Sequence, residues 1–318
     1  MPRIELSSGP IDYQDTGGEG PVLVLAHGLP MNETQWRKVV PLLDGYRCVL
    51  PTLPLGGHRQ PMNPDADLSQ RGVALLLGEF IAGLGLDRVT LVLNDWGGGQ
   101  FLVSEGQDRC IARLVLVACE AFDNFPPGPA KAMAQVCRIP GGVWLLTRLM
   151  RVPAFRHNRG GYGGMSLRGV PDEIMDDWFA PATRSRAIRR DFAKFATGAP
   201  GRETLLAWSD RLREFDRPVL VVWATEDRLM PREHGPPAGR AVPAGPAGRD
   251  RRLVHPHPRG PARTTRPSAH RLPDPNRSGT GPKGLLSAGR QADATAATTL
   301  PSMSMSKPQP GPVPLGAA

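Results

Sequence analysis
The sequence predicts an α/β fold: a mostly parallel, doubly wound sheet interrupted by a block of helices. Three observations predict it. Short, continuous apolar runs at 22–26, 89–93, 113–118 and 218–223 read as buried strands, since a parallel sheet covered on both faces has no polar side. Helical patterns and short loops alternate with those runs up to about residue 121. Residues 122–212 then hold no β run, only helical pieces broken by Pro and Gly.

The chain is organised around Val89-Thr90-Leu91-Val92-Leu93-Asn94-Asp95-Trp96, followed by Gly97, Gly98 and Gly99. A buried strand runs into a sharp turn, and apolar residues resume at Phe101, Leu102 and Val103, so a helix is expected to start within the glycines. A strand that turns abruptly into a helix with one reactive residue at the apex is a nucleophile elbow. Here the apex residue is Asp95. A carboxylate attacking an ester would give an anhydride. At a saturated carbon it gives an ordinary ester that water can cleave. An Asp before a glycine-rich helix start also serves as an N-cap; the buried strand before Asp95 favours the nucleophile.

Taken in order, residues 4–13 alternate weakly and are expected to form an edge hairpin against Val22-Leu23-Val24-Leu25-Ala26. That run ends in His27-Gly28-Leu29-Pro30. Gly28 and Pro30 force an irregular loop, which leaves main-chain N–H groups aimed into a cleft, as an oxyanion site requires. His27 reads as a structural histidine and not as a base. Trp36, Val39, Val40 and Leu43 share one face of an expected helix over 34–43, and 48–50 is a short strand. A Pro/Gly-rich loop over 51–64 carries His58 and Arg59, and 68–84 is helical. The insertion reads as helices at 130–138, 143–150, 172–179, 184–197 and 203–215, with a basic, glycine-rich loop at 156–164. Its apolar residues Phe122, Phe125, Trp144, Phe155, Tyr162, Trp178 and Phe179 either line a dry pocket or fill helix core, the second being expected for most. After the strand at 218–223, Asp227 stands in a loop on the same sheet edge as Asp95.

Composition sets the boundaries. The net charge of +9 is all in residues 236–318, with 12 Lys/Arg against 3 acids; residues 1–235 hold 27 of each. That tail also has 16 of the 35 prolines and no Phe, Trp or Tyr, too little apolar surface to offset its conformational entropy. The expected organisation is therefore 1–121 and 213–235 as two parts of one core, 122–212 as a helical cap, and 236–318 as a disordered tail. Cys48, Cys110, Cys119 and Cys137 lack C-x-x-C spacing and read as thiols of a reducing compartment. There is no signal peptide and no apolar run long enough to span a bilayer, so the expected location is the cytoplasm. No cofactor, metal, nucleic-acid or membrane partner is expected; the tail has no aromatic residue for stacking on bases. The expected ligand is a small apolar molecule.

With H-G-L-P, N-D-W-G-G, the helical cap and W-A-T-E-D-R-L-M-P, the chain over about residues 10–235 resembles the α/β-hydrolase fold family. It is most similar to the aspartate-nucleophile branch, haloalkane dehalogenases and epoxide hydrolases. The resemblance implies Asp95 as nucleophile and the N–H groups of Leu29 and Trp96 as donors to the oxyanion or leaving group. It implies an acid after one of two strands, Asp227 or, alternatively, Glu120, with Asp227 favoured. Three residues depart from the family's pattern: Leu29 stands where dehalogenases usually have Asn, Tyr162 is the cap's single tyrosine where epoxide hydrolases use two, and Leu93 is large two residues before the nucleophile.

The implied mechanism also needs a histidine after a last strand. Sequence patterning finds no such strand after Gly235, so the last strand and helix are expected to be missing and His255, His257 and His270 to be tail residues. Back-translating 236–263 and reading one base later permits R-R-L-A-E-L-F-P-Q-A-R-L-V-E-I-A-D-S-Y-T-L-I-P-E-D-Q-P, which completes a helix, a strand and a loop similar to the family's histidine loop. A frameshift near Gly235 is therefore expected. Because His255 and His257 require CAY codons, the shifted frame places only Thr or Ile there. The two functional alternatives are an active hydrolase and a decayed one that keeps at most a ligand-binding shell.

Overall fold
In the computed structural model, β1 (Arg3–Leu6) and β2 (Gly9–Asp15) form an antiparallel hairpin at one edge of the sheet. β2 continues onto β4 (Arg47–Pro51), and β4, β3 (Val22–Ala26), β5 (Val89–Asp95), β6 (Ile111–Cys119) and β7 (Val219–Val222) run parallel. The order across the sheet is β1-β2-β4-β3-β5-β6-β7-β8, where β8 is Leu253–Val254. Residues 1–95, 100–119, 128–158, 162–166, 168–224, 227, 230 and 253–254 are described, all within one unit, Met1–Gly260.

The hairpin pairs with β4 and not, as expected, with β3. The reason is that β3 already has β4 on one side and β5 on the other, so it offers no edge. Arg47 holds the observed register through two bonds to Asp15, at 3.1 and 2.7 Å. The strands read as buried runs because they are: Val24, Val49, Val89, Leu91 and Leu114 have no exposed surface. α1 (Gln70–Gly83) packs across them with Val73, Leu76, Leu77 and Phe80, and Ser69 Oγ caps it by accepting the Gly72 N–H at 3.1 Å. Each such side chain contributes about 1.5–3 kcal/mol by leaving water.

The expected helix over 34–43 is replaced by two 3-10 turns, Glu33–Trp36 and Val40–Leu42. Pro41 lacks the N–H that a continuing α-helix needs and sits instead in the first turn of the second piece. α2 (Gln100–Ser104) follows β5. Between β6 and β7 lie α3 (Gly128–Arg138), α4 (Gly142–Leu149), α5 (Pro153–Arg156), α6 (Asp172–Arg184), α7 (Arg186–Thr197) and α8 (Arg202–Arg211). Met175, Trp178, Phe179 and Phe192 of this insertion form a second cluster together with Met31 of the first loop. α8 turns back to the sheet side: Trp208 stacks on Phe101 at 4.1 Å and accepts the Ser104 hydroxyl at 2.8 Å. Polar links fasten the insertion to the loop after β4, through Arg59 between Glu33 and Asp177 and through His58 on Asp191.

Beyond Gly235 the ladder continues for two residues among the described ones. Leu253 and Val254 pair in parallel with Val221 and Val222. This corrects the expectation of no strand beyond Gly235: two residues suffice to continue the ladder, too few to give a periodic signal. The stretch in which the last helix is expected to be missing lies outside the described residues. Among the described residues no helix is long and apolar enough to cross a membrane.

Candidate active site
β5 delivers Asp95 to the sheet's edge with φ +69°, and its pairing with β6 slips by one residue there, so that Asp95 faces Cys119. A left-handed φ on a non-glycine residue costs about 1–2 kcal/mol and turns the side chain away from the strand's direction. The first loop closes on it. A Cβ on Gly28 would lie 2.8 Å from Asp95 Cβ and 2.9 Å from its Oδ2, so only glycine permits this approach. The Leu29 N–H donates to Asp95 Oδ2 at 2.9 Å, which leaves Oδ1 without a donor among the described residues.

Behind this contact lies a polar chain that the sequence did not reveal. The Gly28 N–H donates to Gln35 Oε1 at 2.7 Å, Gln35 Nε2 donates to Asn94 Oδ1, and Asn94 Nδ2 donates to the Val117 carbonyl at 2.7 Å. It ties the first loop to the residue before the apex and to β6. Asn94 opens the N-D-W-G-G motif but Gln35 belongs to none, and the bond between them spans 59 residues. The Leu29 peptide works on both sides, its carbonyl accepting the Tyr162 hydroxyl at 3.0 Å. Tyr162 rests edge-on against Phe179, with ring centroids 5.0 Å apart.

Asp95, Tyr162, Asp227, Gln35, Met31 and Trp178 line one cleft of about 600 Å³, the volume of a small-molecule site. Met230 donates its N–H to Asp227 Oδ1 at 2.8 Å. Burial pushes the Asp95 carboxyl up to about 6; the Leu29 hydrogen bond opposes this and the charge of Asp227 adds to it. Burial and the Asp95 charge hold the Tyr162 phenol well above its ordinary value, so it stays protonated. Of the seven aromatic residues considered for the pocket, Tyr162 and Trp178 line it and Phe179 is core. Trp144 and Phe155 do neither, being 50 % and 43 % exposed, and Phe122 and Phe125 lie outside the described residues. Leu93 is accommodated as a buried core residue facing Ala26.

The described histidines have other partners. His27 Nε2 accepts the Leu53 N–H at 2.9 Å, so its Nδ1 carries the proton toward the Gly28 carbonyl at 3.0 Å. Burial lowers it to about 4 and it is neutral. Together with the buried Pro30 it shapes the first loop. His58 accepts from the Gly56 N–H and faces Asp191 at 3.3 Å, and His157 bonds Asp172 on the surface. None of the three lines the cleft. Arg156, expected in a loop, is buried and paired with Asp172 and Asp176. Trp96, Gly97 and Glu120 lie outside the described residues, as do His234, His255, His257 and His270.

The chain is 25% identical over 244 residues to 2-hydroxy-6-oxo-6-phenylhexa-2,4-dienoate hydrolase of Comamonas testosteroni, covering 73% of this chain and 79% of that one. It is 32% identical over 119 residues to a soluble epoxide hydrolase of a Corynebacterium species, covering 35% of this chain and 41% of the other. Among solved structures, an ancestral haloalkane dehalogenase superposes with a TM-score of 0.62 at 23% identity, over 80% of this chain and 90% of that one, which is a likeness of fold. The profile of the alpha/beta hydrolase family matches residues 23–258, past Gly235 and through the short β8. The chain belongs to the alpha/beta hydrolase family.

Proposed function
We propose that the protein is a hydrolase that attacks a small apolar electrophile, a haloalkane or an epoxide, with Asp95. The observation that carries this reading is Asp95 itself: a carboxylate at a left-handed apex, held through one oxygen by the Leu29 N–H, with no donor to the other among the described residues, lining a cleft of small-molecule size. Oδ1 attacks the carbon, the ester C–O bond forms, and the carbon–halogen or epoxide C–O bond breaks with its electron pair. A halide leaves as the anion. An epoxide oxygen takes the Tyr162 proton, and the Leu29 carbonyl that now accepts that hydroxyl keeps it oriented. Similarity to a soluble epoxide hydrolase supports the second arm. Water, deprotonated by a base, then attacks the Asp95 carbonyl carbon and releases the alcohol, with the Leu29 N–H on the oxyanion. Asp227, on the same cleft, is the acid that orients that base.

β8 ends at Val254, and the next residues along the chain include His255 and His257, which makes these two the candidates. The alternative is a protein without a base: none of the described histidines lines the cleft, which favours a single alkylation or a plain binding shell. The proposed frameshift near Gly235 belongs with that alternative, since the shifted frame holds no histidine at 255 or 257. The gene sequence and the intact mass of the natural product decide the frame. Function is tested by counting product: with a panel of 1-haloalkanes and terminal epoxides, wild type releases at least one equivalent of halide or consumes one of epoxide, and Asp95→Ala none. No release from wild type with any compound would leave the binding shell as the reading.

A further inference from the structure
From Asn124 to Pro171 the chain has seven cations, Lys131, Arg138, Arg148, Arg151, Arg156, Arg159 and Arg168, and not one acid, although residues 1–235 as a whole are balanced. Within that stretch α4 and α5 form one nearly continuous coil, since the Arg151, Val152, Phe155 and Arg156 N–H groups bond back by three or four residues across the junction. One face of the coil is anchored: Leu146 and Met150 are buried, and Arg156 is buried against Asp172 and Asp176 of α6. The opposite face is open. Trp144, Leu145, Val152 and Phe155 are 50, 50, 45 and 43 % exposed. Arg148 and Arg151 stand exposed among them, and among the described residues neither is in an ion pair. Arg148 lies over the Trp144 ring at 5.4 Å.

Four large apolar side chains gathered on one exposed face are a cost unless something covers them. We propose that this face of α4–α5 docks on a bilayer surface containing anionic lipid, with Trp144, Leu145, Val152 and Phe155 in the headgroup–acyl boundary and Arg148 and Arg151 on the lipid phosphates. The mixture of Trp, aliphatic residues and arginine without acids is that of an interfacial helix. A second copy of the chain fits less well, because a two-fold contact would set the arginines of one face against those of the other. A nucleic acid fits less well too: Leu145 and Val152 have no ring on which a base can stack. The expectation of no membrane partner came from the lack of a spanning run, and a peripheral contact needs none. This inference does not depend on Asp95 chemistry.

Flotation of the full chain with vesicles tests it. Wild type is expected to bind phosphatidylcholine vesicles containing 30 % phosphatidylserine at about 0.1 M salt, and to lose the binding on pure phosphatidylcholine. Arg148→Gln with Arg151→Gln lowers the partition coefficient about thirtyfold. Trp144→Ser with Leu145→Ser and Phe155→Ser lowers it about tenfold or more, while Leu42→Ser, at an exposed residue outside the insertion, leaves it unchanged. The basic segment 236–318 is present in every variant, so binding that survives the triple substitution belongs to that segment and overturns the proposal. No binding to either vesicle overturns it, as does a dimer in sedimentation that the triple substitution dissolves. Unchanged thermal melting of the variants excludes misfolding as the cause of a loss.

Discussion
At one end of the cleft Asp95 sits on a seven-residue strand paired on both sides, with Gly28 against its Cβ, the Leu29 N–H on Oδ2 and the Gln35–Asn94 pair behind it. At the other end Asp227 follows a four-residue strand whose outer neighbour is two residues long. The first end is over-determined, and an over-determined site can hold a residue at an unfavourable φ. At the second, the Met230 N–H on Asp227 Oδ1 is the hydrogen bond seen at the carboxylate among the described residues. In the proposed mechanism ester formation needs only the first end and ester hydrolysis needs both, so the two half-reactions should respond to different substitutions.

The widest separation is expected from the base. If His255 or His257 serves, replacing both with Gln lowers turnover by about 10²–10⁴ while the first equivalent of product still appears at an unchanged rate; rapid-quench kinetics separates the two phases. If turnover is equal in wild type and the double variant, the base lies elsewhere. Gly28→Val should do the reverse, slowing the first equivalent by roughly 10²–10³ because the new Cβ drives into Asp95 and displaces the Leu29 donor. Tyr162→Phe separates the substrates: epoxide opening falls about 10²-fold, whereas halide displacement, which needs no proton, stays within a few-fold.

The smallest effect concerns charge. Asp95 titrates near 6 in the fold and near 4 in the unfolded chain, so ionising it opposes folding. The wild type therefore loses stability as pH rises from about 4 through about 6, by about 3 kcal/mol at most. Asp95→Asn, which tolerates the same φ, should be more stable by that amount at pH 8 and equal at pH 4, as urea melts at the two pH values would show. The rate of the first half-reaction follows the same carboxylate and rises through about pH 6.

How much of this was legible follows from what each residue's partner is. β3, β5, β6 and β7 announce themselves because both of their faces are apolar, and α1 because its buried positions repeat at helical spacing. The first loop is legible through Gly28, whose type is demanded by the close approach of Asp95. Gln35, Asn94 and the Leu29–Tyr162 bond are not, because each is defined by a residue 23 to 133 positions away. The 3-10 turns at 33–42 mislead a helical reading because Trp36 and Val40 keep the apolar spacing while Pro41 forbids the hydrogen bonds. β8 escapes notice because two residues have no period. Trp144 and Phe155 are the instructive failure: helical aromatic residues are core more often than surface, and here they face outward.

The central claim is that Asp95 forms a covalent ester. Incubating the chain with a 1-haloalkane, quenching in acid and mapping peptides by mass spectrometry tests it directly. The account predicts one alkyl group per chain, on the peptide that contains Asp95, absent in Asp95→Ala and transient or persistent according to whether a base acts. An adduct confined to another residue, or turnover that survives in Asp95→Ala, would contradict it.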